Sequence, residues 1–407
     1  MFFRKLKPLS SRGPLKVMFV ITSMPVGGAE TLLVNLVRRM DRTRFEPELV
    51  CLKEFGPLGD VLAQEIPAFT GLLAHKYDFA VLGRLTRLLK DRQIDAVVTV
   101  GTGGDKMFWG RLAAKRAGVP VILSALHSTG LPDHVELPNR LLAPITDGFI
   151  GVAAPHAQYL IAKEGCPARK TFVIPNGVDT DRFQPLPADE TLRASVGLPA
   201  NAPVAAIVAA LRPEKNHELF LRAAAIVHQS QPSAQFMIIG DGARRGELES
   251  LTESLGLKSV VHFLGTRSNV AELLALAKVL VLSSHMEANP VSIIEALACG
   301  KPVVATNVGS IPETVHEGVN GYLVPAGNEQ ALAEKIEQVL FEPGLADRLG
   351  SAGRRGVVDH WSLDRMVNGY QDLIAAIYDR KSGQRVAASN RVNNEPAVDA
   401  QEAVCSS

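Results

Sequence analysis

The sequence predicts an α/β chain of two doubly wound parallel-sheet domains in tandem, facing a central cleft. Three observations carry this reading. Short, near-continuous apolar runs rich in β-formers recur along the 407 residues, and most are followed by a stretch with apolar residues at helical spacing. Strands that are apolar on both faces belong in parallel sheets covered by helices on each side. At roughly 150 residues per domain, the length asks for two or three domains. An apolar share of 46% and a charged share of 21% exclude a disordered, collagen-like or coiled-coil chain.

The elements follow in order. Residues 1–14 read as a flexible basic arm. Residues 16–24 (KVMFVITSM) read as a buried strand, Val26-Gly27-Gly28 as a tight turn, and 29–40 as a helix. Strand, turn and helix open a β-α-β unit. Further strands are expected at 48–51, 96–100, 120–125 and 148–152, with helices at 79–90 and 106–117. This gives a first domain over 15–185, closed by a Pro-rich linker at 184–188. The second domain, 186–361, has strands at 204–209, 235–240, 260–263, 279–283 and 302–306. Its helices fall at 218–229, 246–255, 270–277, 291–299 and 329–341. A helix over 362–381 carries Met366, Tyr370, Leu373, Ile374 and Ile377 on one face. The polar, alanine-rich residues 382–407 read as a disordered tail.

Charge is uneven. Residues 1–185 carry 24 Lys+Arg against 17 Asp+Glu, and the remainder carries 19 against 25. A basic first half fits an anionic partner, either a phosphate-bearing substrate or a membrane surface, or else a solvated face with no partner. A nucleic-acid partner is not expected. Two basic amphipathic stretches face either water or anionic lipid: Arg84, Arg87 and Lys90, and Lys106, Arg111, Lys115 and Arg116 around Phe108 and Trp109. The cysteines (Cys51, Cys166, Cys299, Cys405) form no CxxC pair, which speaks against a disulfide framework or zinc module. Arg12 and Lys16 interrupt any signal-peptide core, and no apolar run reaches the ~18 residues of a spanning helix. The chain is expected to be cytoplasmic, with peripheral membrane contact open.

Chemistry concentrates at 286–312. Glu287 lies just past a strand end at Ser283-Ser284-His285, and Glu295 lies eight residues on, in the following helix. The first helical N–H groups, at 289–292, favour an anion. Carboxylates beside such a site accept paired hydrogen bonds from sugar or ribose hydroxyls. By spacing alone, Glu287 as a helix cap and Glu295 as a surface residue stays an alternative.

The stretch Glu287-Ala288-Asn289-Pro290, then Glu295-Ala296-Leu297-Ala298-Cys299-Gly300-Lys301-Pro302-Val303-Val304-Ala305-Thr306, then Gly309 and Glu313, resembles the signature of the retaining glycosyltransferases of family 4. The resemblance implies the GT-B fold, two Rossmann-like domains, and transfer of a hexose-type sugar from a nucleotide diphosphate donor with retention of configuration. It implies that Glu287 contacts the transferred sugar and that Glu295 holds the ribose hydroxyls. Asn289, Pro290 and Val291 belong to the same donor loop. Ala288 departs from the family glycine. Gly27-Gly28 looks like the family's glycine loop. Asn176-Gly177-Val178-Asp179 with Phe183 looks like the segment that enters the second domain. Lys215 falls in register with the family lysine that neutralises the donor diphosphate. The family arginine position is Ala210, and Arg212 is the nearest substitute. Gly240 and Arg267 fall in stretches that resemble those meeting the nucleotide. His127, with His134 as a weaker candidate, resembles a histidine near the reacting sugar. No metal or cofactor is implied, and the final helix is expected to cross back to the first domain. An anionic or lipid-linked envelope acceptor is favoured. Rival readings are a nucleotide-sugar epimerase or hydrolase on the same fold and an inactive nucleotide-sugar-binding protein. A nicotinamide oxidoreductase is disfavoured because Gly27-Gly28 lacks the GxGxxG spacing.

Overall fold

In the strand Leu15–Ile21 every residue but Lys16 is buried. Both of its faces must therefore be covered, as in a parallel sheet between helix layers. The computed structural model describes residues 6–75, 78–101, 107–127 and 136–383. Its contacts divide the chain into two compact units, one of residues 1–176 with 364–407 and one of residues 177–363.

Among the described residues the first unit has seven strands: β1 (Leu15–Ile21), β2 (Phe45–Cys51), β3 (Ala68–Phe69), β4 (Ala96–Gly101), β5 (Val121–Leu126), β6 (Gly148–Gly151) and β7 (Thr171–Val173). They align in the order β3-β2-β1-β4-β5-β6-β7, and every pairing is parallel. Its helices are α1 (Gly28–Arg39), α2 (Gly56–Leu62), α3 (Val81–Asp91), α4 (Met107–Ala117), α5 (Glu136–Leu142) and α6 (Ala154–Ala162).

The second unit has six strands: β8 (Val204–Val208), β9 (Gln235–Ile239), β10 (Val261–Gly265), β11 (Val279–Leu282), β12 (Val303–Thr306) and β13 (Gly321–Val324). Their order is β10-β9-β8-β11-β12-β13, again parallel throughout. Its helices are α7 (Glu190–Ser195), α8 (His217–Ser230), α9 (Arg245–Ser254), α10 (Val270–Leu276), α11 (Val291–Ala298), α12 (Glu329–Phe341) and α13 (Leu345–His360). Both units are Rossmann-like, as the alternation of strands and helices in the sequence implies. The closing helix, α14 (Leu363–Ser382), belongs from Asp364 onward to the first unit.

Several elements escape a reading by apolar period. β3 spans two residues, and β7 three. Helix α13 contains Gly350, Gly353 and Gly356, which weaken a helical reading. Close packing accounts for two of them. A Cβ on Gly350 would lie 1.9 Å from the Gly300 carbonyl oxygen, and one on Gly353 would lie 2.5 Å from Leu297. The division at 176/177 also differs from the expected 185/186. Arg354 donates to the carbonyls of Thr180, Phe183 and Ala298, and Val178 bonds Trp361 and Leu363 through the backbone. The Pro-rich stretch expected as a linker is thus preceded by a segment anchored in the second unit.

The arm expected over 1–14 is held in its latter part. Leu9–Ser11 form a 3-10 turn, and the Leu9 N–H donates to Asp379 of α14 at 3.0 Å. Arg12 forks onto Asp95 at 2.9 and 2.7 Å and donates to the Tyr378 hydroxyl at 2.5 Å. Asp95 is 1% exposed. Arg12→Ala therefore takes the guanidinium away from a buried carboxylate that also accepts the Lys16 N–H at 3.1 Å. Removing one partner of a buried pair typically costs about 3 kcal/mol or more. Urea unfolding of Arg12→Ala should show a loss of that order, and a midpoint equal to wild type would contradict the pairing.

Arg111 corrects another expectation. It does not face lipid or water. It is 1% exposed, donates to Asn139 of α5 at 2.8 Å and lies against the rings of Phe108 and Phe149. Burial pulls its guanidinium down to about 10. Arg84 is likewise engaged, with Asp78 and the Leu72 carbonyl. Lys106, His134, Cys405, residues 1–5 and the expected tail from 384 lie outside the described residues. Among the described residues, no helix is long and apolar enough to cross a membrane. Cys51, Cys166 and Cys299 are free and buried, and burial pushes each thiol up to about 12.

Candidate functional site

Strand order locates the site in the second unit. From β8 the chain moves outward through β9 and β10, then returns to the other side of β8 at β11. The crevice beyond the carboxyl ends of β8 and β11 is the topological switch point, where open α/β sheets bind ligands. Two loops meet there: residues 209–216 after β8 and 283–290 after β11. The His285 N–H donates to the Glu214 carbonyl at 2.9 Å. The Ser283 hydroxyl donates to the carbonyls of Lys215 and Asn216 at 3.2 and 2.9 Å.

These ties bring Lys215 and Glu287 together. The Lys215 ammonium donates to Glu287 Oε1 at 2.6 Å, with side-chain exposures of 24% and 7%. The Ser284 hydroxyl donates to the same oxygen at 2.6 Å. The backbone of Glu287 is pinned as well, because its carbonyl accepts the Ser310 N–H at 3.1 Å. Gly309 makes this approach possible. It has φ +55, and a Cβ there would stand 1.9 Å from the Glu287 carbonyl oxygen.

Glu295 sits on α11, past the buried Ala288, Asn289 and Pro290 and the first helical residue, Val291. Pro290 is the N-cap and its carbonyl takes the Ile293 N–H at 3.2 Å, so the two earlier N–H groups of α11, those of Val291 and Ser292, have no intrahelical carbonyl to bond. The Glu295 carboxyl is partly buried and makes no hydrogen bond among the described residues. Burial pushes it up to about 7, and the Arg182 charge offsets part of that rise.

The other candidates stand further apart. Arg212 is exposed and, among the described residues, its guanidinium reaches only Glu214, at 4.0 Å; it does not join Lys215 and Glu287. Gly240, φ +142, closes against the Ala209 carbonyl, where a Cβ would lie at 2.0 Å. Its N–H donates to the Gly265 carbonyl at 2.9 Å. Arg267 is exposed and donates to Asn269 at 3.2 Å.

Gly27, Gly28 and His127 belong to the first unit. Gly27 is the extended N-cap of α1, with φ −159, and Gly28 is the first residue of that helix. His127 follows β5, and its N–H donates to the Gly101 carbonyl at 3.1 Å. Its Nδ1 is buried and has no hydrogen bond among the described residues. Burial, and then the nearby His156, pull the imidazole down to about 4, so it is neutral at pH 7.

Ser283, Ser284 and Thr306 join the candidate site through hydrogen bonds, and no motif in the sequence assigns them a role. Their signal was weak: two adjacent serines at the end of an apolar strand. Among the described residues, no three His, Cys, Asp or Glu side chains gather as a metal site.

Comparison with known proteins bears on this geometry. A family model of glycosyl transferases group 1 matches residues 188–356, and one of glycosyltransferase family 4 matches residues 26–182. Over 381 residues the chain is 26% identical to the UDP-Gal:alpha-D-GlcNAc-diphosphoundecaprenol alpha-1,3-galactosyltransferase of Escherichia coli, covering 89% of this chain and 97% of that one. Over 291 residues it is 31% identical to a D-inositol 3-phosphate glycosyltransferase of Actinosynnema mirum, covering 66% and 68%. It spans about half, 55%, of another relative that is 32% identical over 211 residues. Among solved structures, Anabaena HepE in complex with UDP-glucose superposes with a TM-score of 0.77 at 25% identity, covering 89% of this chain and 100% of that one.

Proposed function

The chain belongs to the group 1, family 4 glycosyltransferases of GT-B fold, and from that premise we propose that it moves a hexose-type sugar from a UDP-sugar to an acceptor with retention of configuration. The observation that carries this is the Lys215–Glu287 pair at the switch point of the second sheet, with the Glu295 carboxyl, which makes no hydrogen bond among the described residues, on the next helix. In this reading the donor diphosphate takes Lys215 and the α11 N–H groups, whose dipole favours the charge that grows on the leaving group. Glu287 then faces the sugar, and Glu295 accepts from the ribose hydroxyls. Catalysis consists of positioning and electrostatics.

UDP is favoured as the leaving group by the E. coli relative and the HepE complex. The basic balance of residues 1–185 and the diphosphate-linked acceptor of that relative favour a phosphate-bearing or lipid-linked acceptor, taken by the first unit at the inner face of the membrane, in polysaccharide or glycolipid synthesis. His127, neutral at pH 7, serves as a polar contact and not as a cation. The reaction needs no divalent cation, so turnover should survive a chelator. Turnover that EDTA abolishes and Mg²⁺ or Mn²⁺ restores would overturn this part.

A thermal-shift panel of UDP, GDP, ADP and their common sugar conjugates tests the whole reading. A ligand that binds only the folded protein raises the melting temperature by mass action. A shift with UDP and a UDP-sugar is expected. A shift with none of them would point to a protein without a working donor site.

A further inference from the structure

We propose that Ser284 is a positioning residue for the reaction: its hydroxyl holds Glu287 in place when the donor diphosphate draws Lys215 away. The proposal rests on reading Glu287 as the carboxylate that meets the sugar. In the free protein both side-chain donors to Glu287, Lys215 Nζ and Ser284 Oγ, converge on Oε1 at 2.6 Å. Oε2 has no hydrogen bond among the described residues and is left for a ligand. Lys215 cannot serve Glu287 and a diphosphate equally well, because an ammonium that turns toward two phosphates weakens its pairing with the carboxylate.

Ser284 has no such conflict. It is 0% exposed, so no ligand competes for its hydroxyl. Its own backbone is fixed, since the buried Thr306 hydroxyl donates to the Ser284 carbonyl at 2.7 Å. With Ser310 and Gly309 holding the Glu287 main chain, Ser284 supplies the one side-chain hydrogen bond to Glu287, among the described residues, that persists while Lys215 is engaged elsewhere. Without it, the carboxylate is free to follow Lys215 or to rotate away from the sugar.

The test is a double-mutant cycle of Ser284→Ala and Glu287→Ala. It is read as the ratio of UDP-sugar to UDP affinity by calorimetry, using UDP and whichever of UDP-glucose and UDP-galactose stabilises the wild type more. The ratio cancels effects on Lys215 that both ligands share. A hydrogen bond to a charged group is worth enough that Ser284→Ala should lower the ratio by about tenfold. In the Glu287→Ala background the same substitution should change nothing further. Additive losses, or a Ser284→Ala ratio equal to wild type beside a defective Glu287→Ala, would overturn the inference alone. An unchanged ratio in Glu287→Ala would overturn the assignment of Glu287 to the sugar, and the inference with it.

Discussion

Glu287→Ala is expected to lower sugar transfer by about a hundred- to a thousandfold while UDP still binds. The size follows from where the carboxylate stands. It is 7% exposed, its backbone is locked by Ser310 and Gly309, and its side chain is aimed by Ser284 and Lys215. A group so constrained is already in position before the reaction and needs little reorganisation. UDP lacks the transferred hexose, so its binding does not need Glu287. Removing the carboxylate also releases Lys215 for the diphosphate, which favours UDP. The measurement is turnover beside a UDP dissociation constant for the same preparation. A variant that turns over within about tenfold of wild type, or that loses UDP in step with turnover, contradicts the assignment.

Glu295→Ala should act on the other half of the donor and weaken UDP by about tenfold, the worth of a charged hydrogen bond to the ribose. The pH dependence sharpens this. Burial raises the carboxyl from 4.5 to about 7 in the free protein. Only the ionised form is the strong acceptor, so UDP affinity should be nearly full above pH 8 and about fivefold lower at pH 6. Glu295→Gln should flatten that profile. The same residue makes an opposite statement about stability. Its folded-state value lies above the unfolded one, so the cost of holding a buried carboxylate is absent below 4.5 and complete above about 7. Glu295→Gln should therefore be more stable than wild type at pH 8 and equal to it at pH 4. A pH-independent UDP affinity in the wild type would remove Glu295 from the ribose.

The two arginines show why local sequence leaves the surroundings of a candidate residue undecided. Arg212 and Arg111 both stand in basic stretches. Arg212 extends into water beside Glu214, and Arg111 turns inward between Phe108 and Phe149. Nothing in the local spacing distinguishes these outcomes, because each depends on which elements pack above the residue. Lys215 and Glu287 are 72 positions apart, and only the adjacency of β8 and β11 brings them within 2.6 Å.

Local apolar period sets the alternation of strands and helices, and hence the two parallel sheets. Apolar runs covered on both faces admit few other solutions, and local period carries that information. It also carried the spacing of Glu287 and Glu295 on a loop and the helix after it. Tertiary structure decided strand order, the division at Asn176, the anchoring of Arg12 on Asp95, and the hydroxyl of Ser284 on Glu287. Each of these is a contact between segments far apart in the chain. Burial and geometry at such contacts depend on the whole packed unit, which no window of sequence contains.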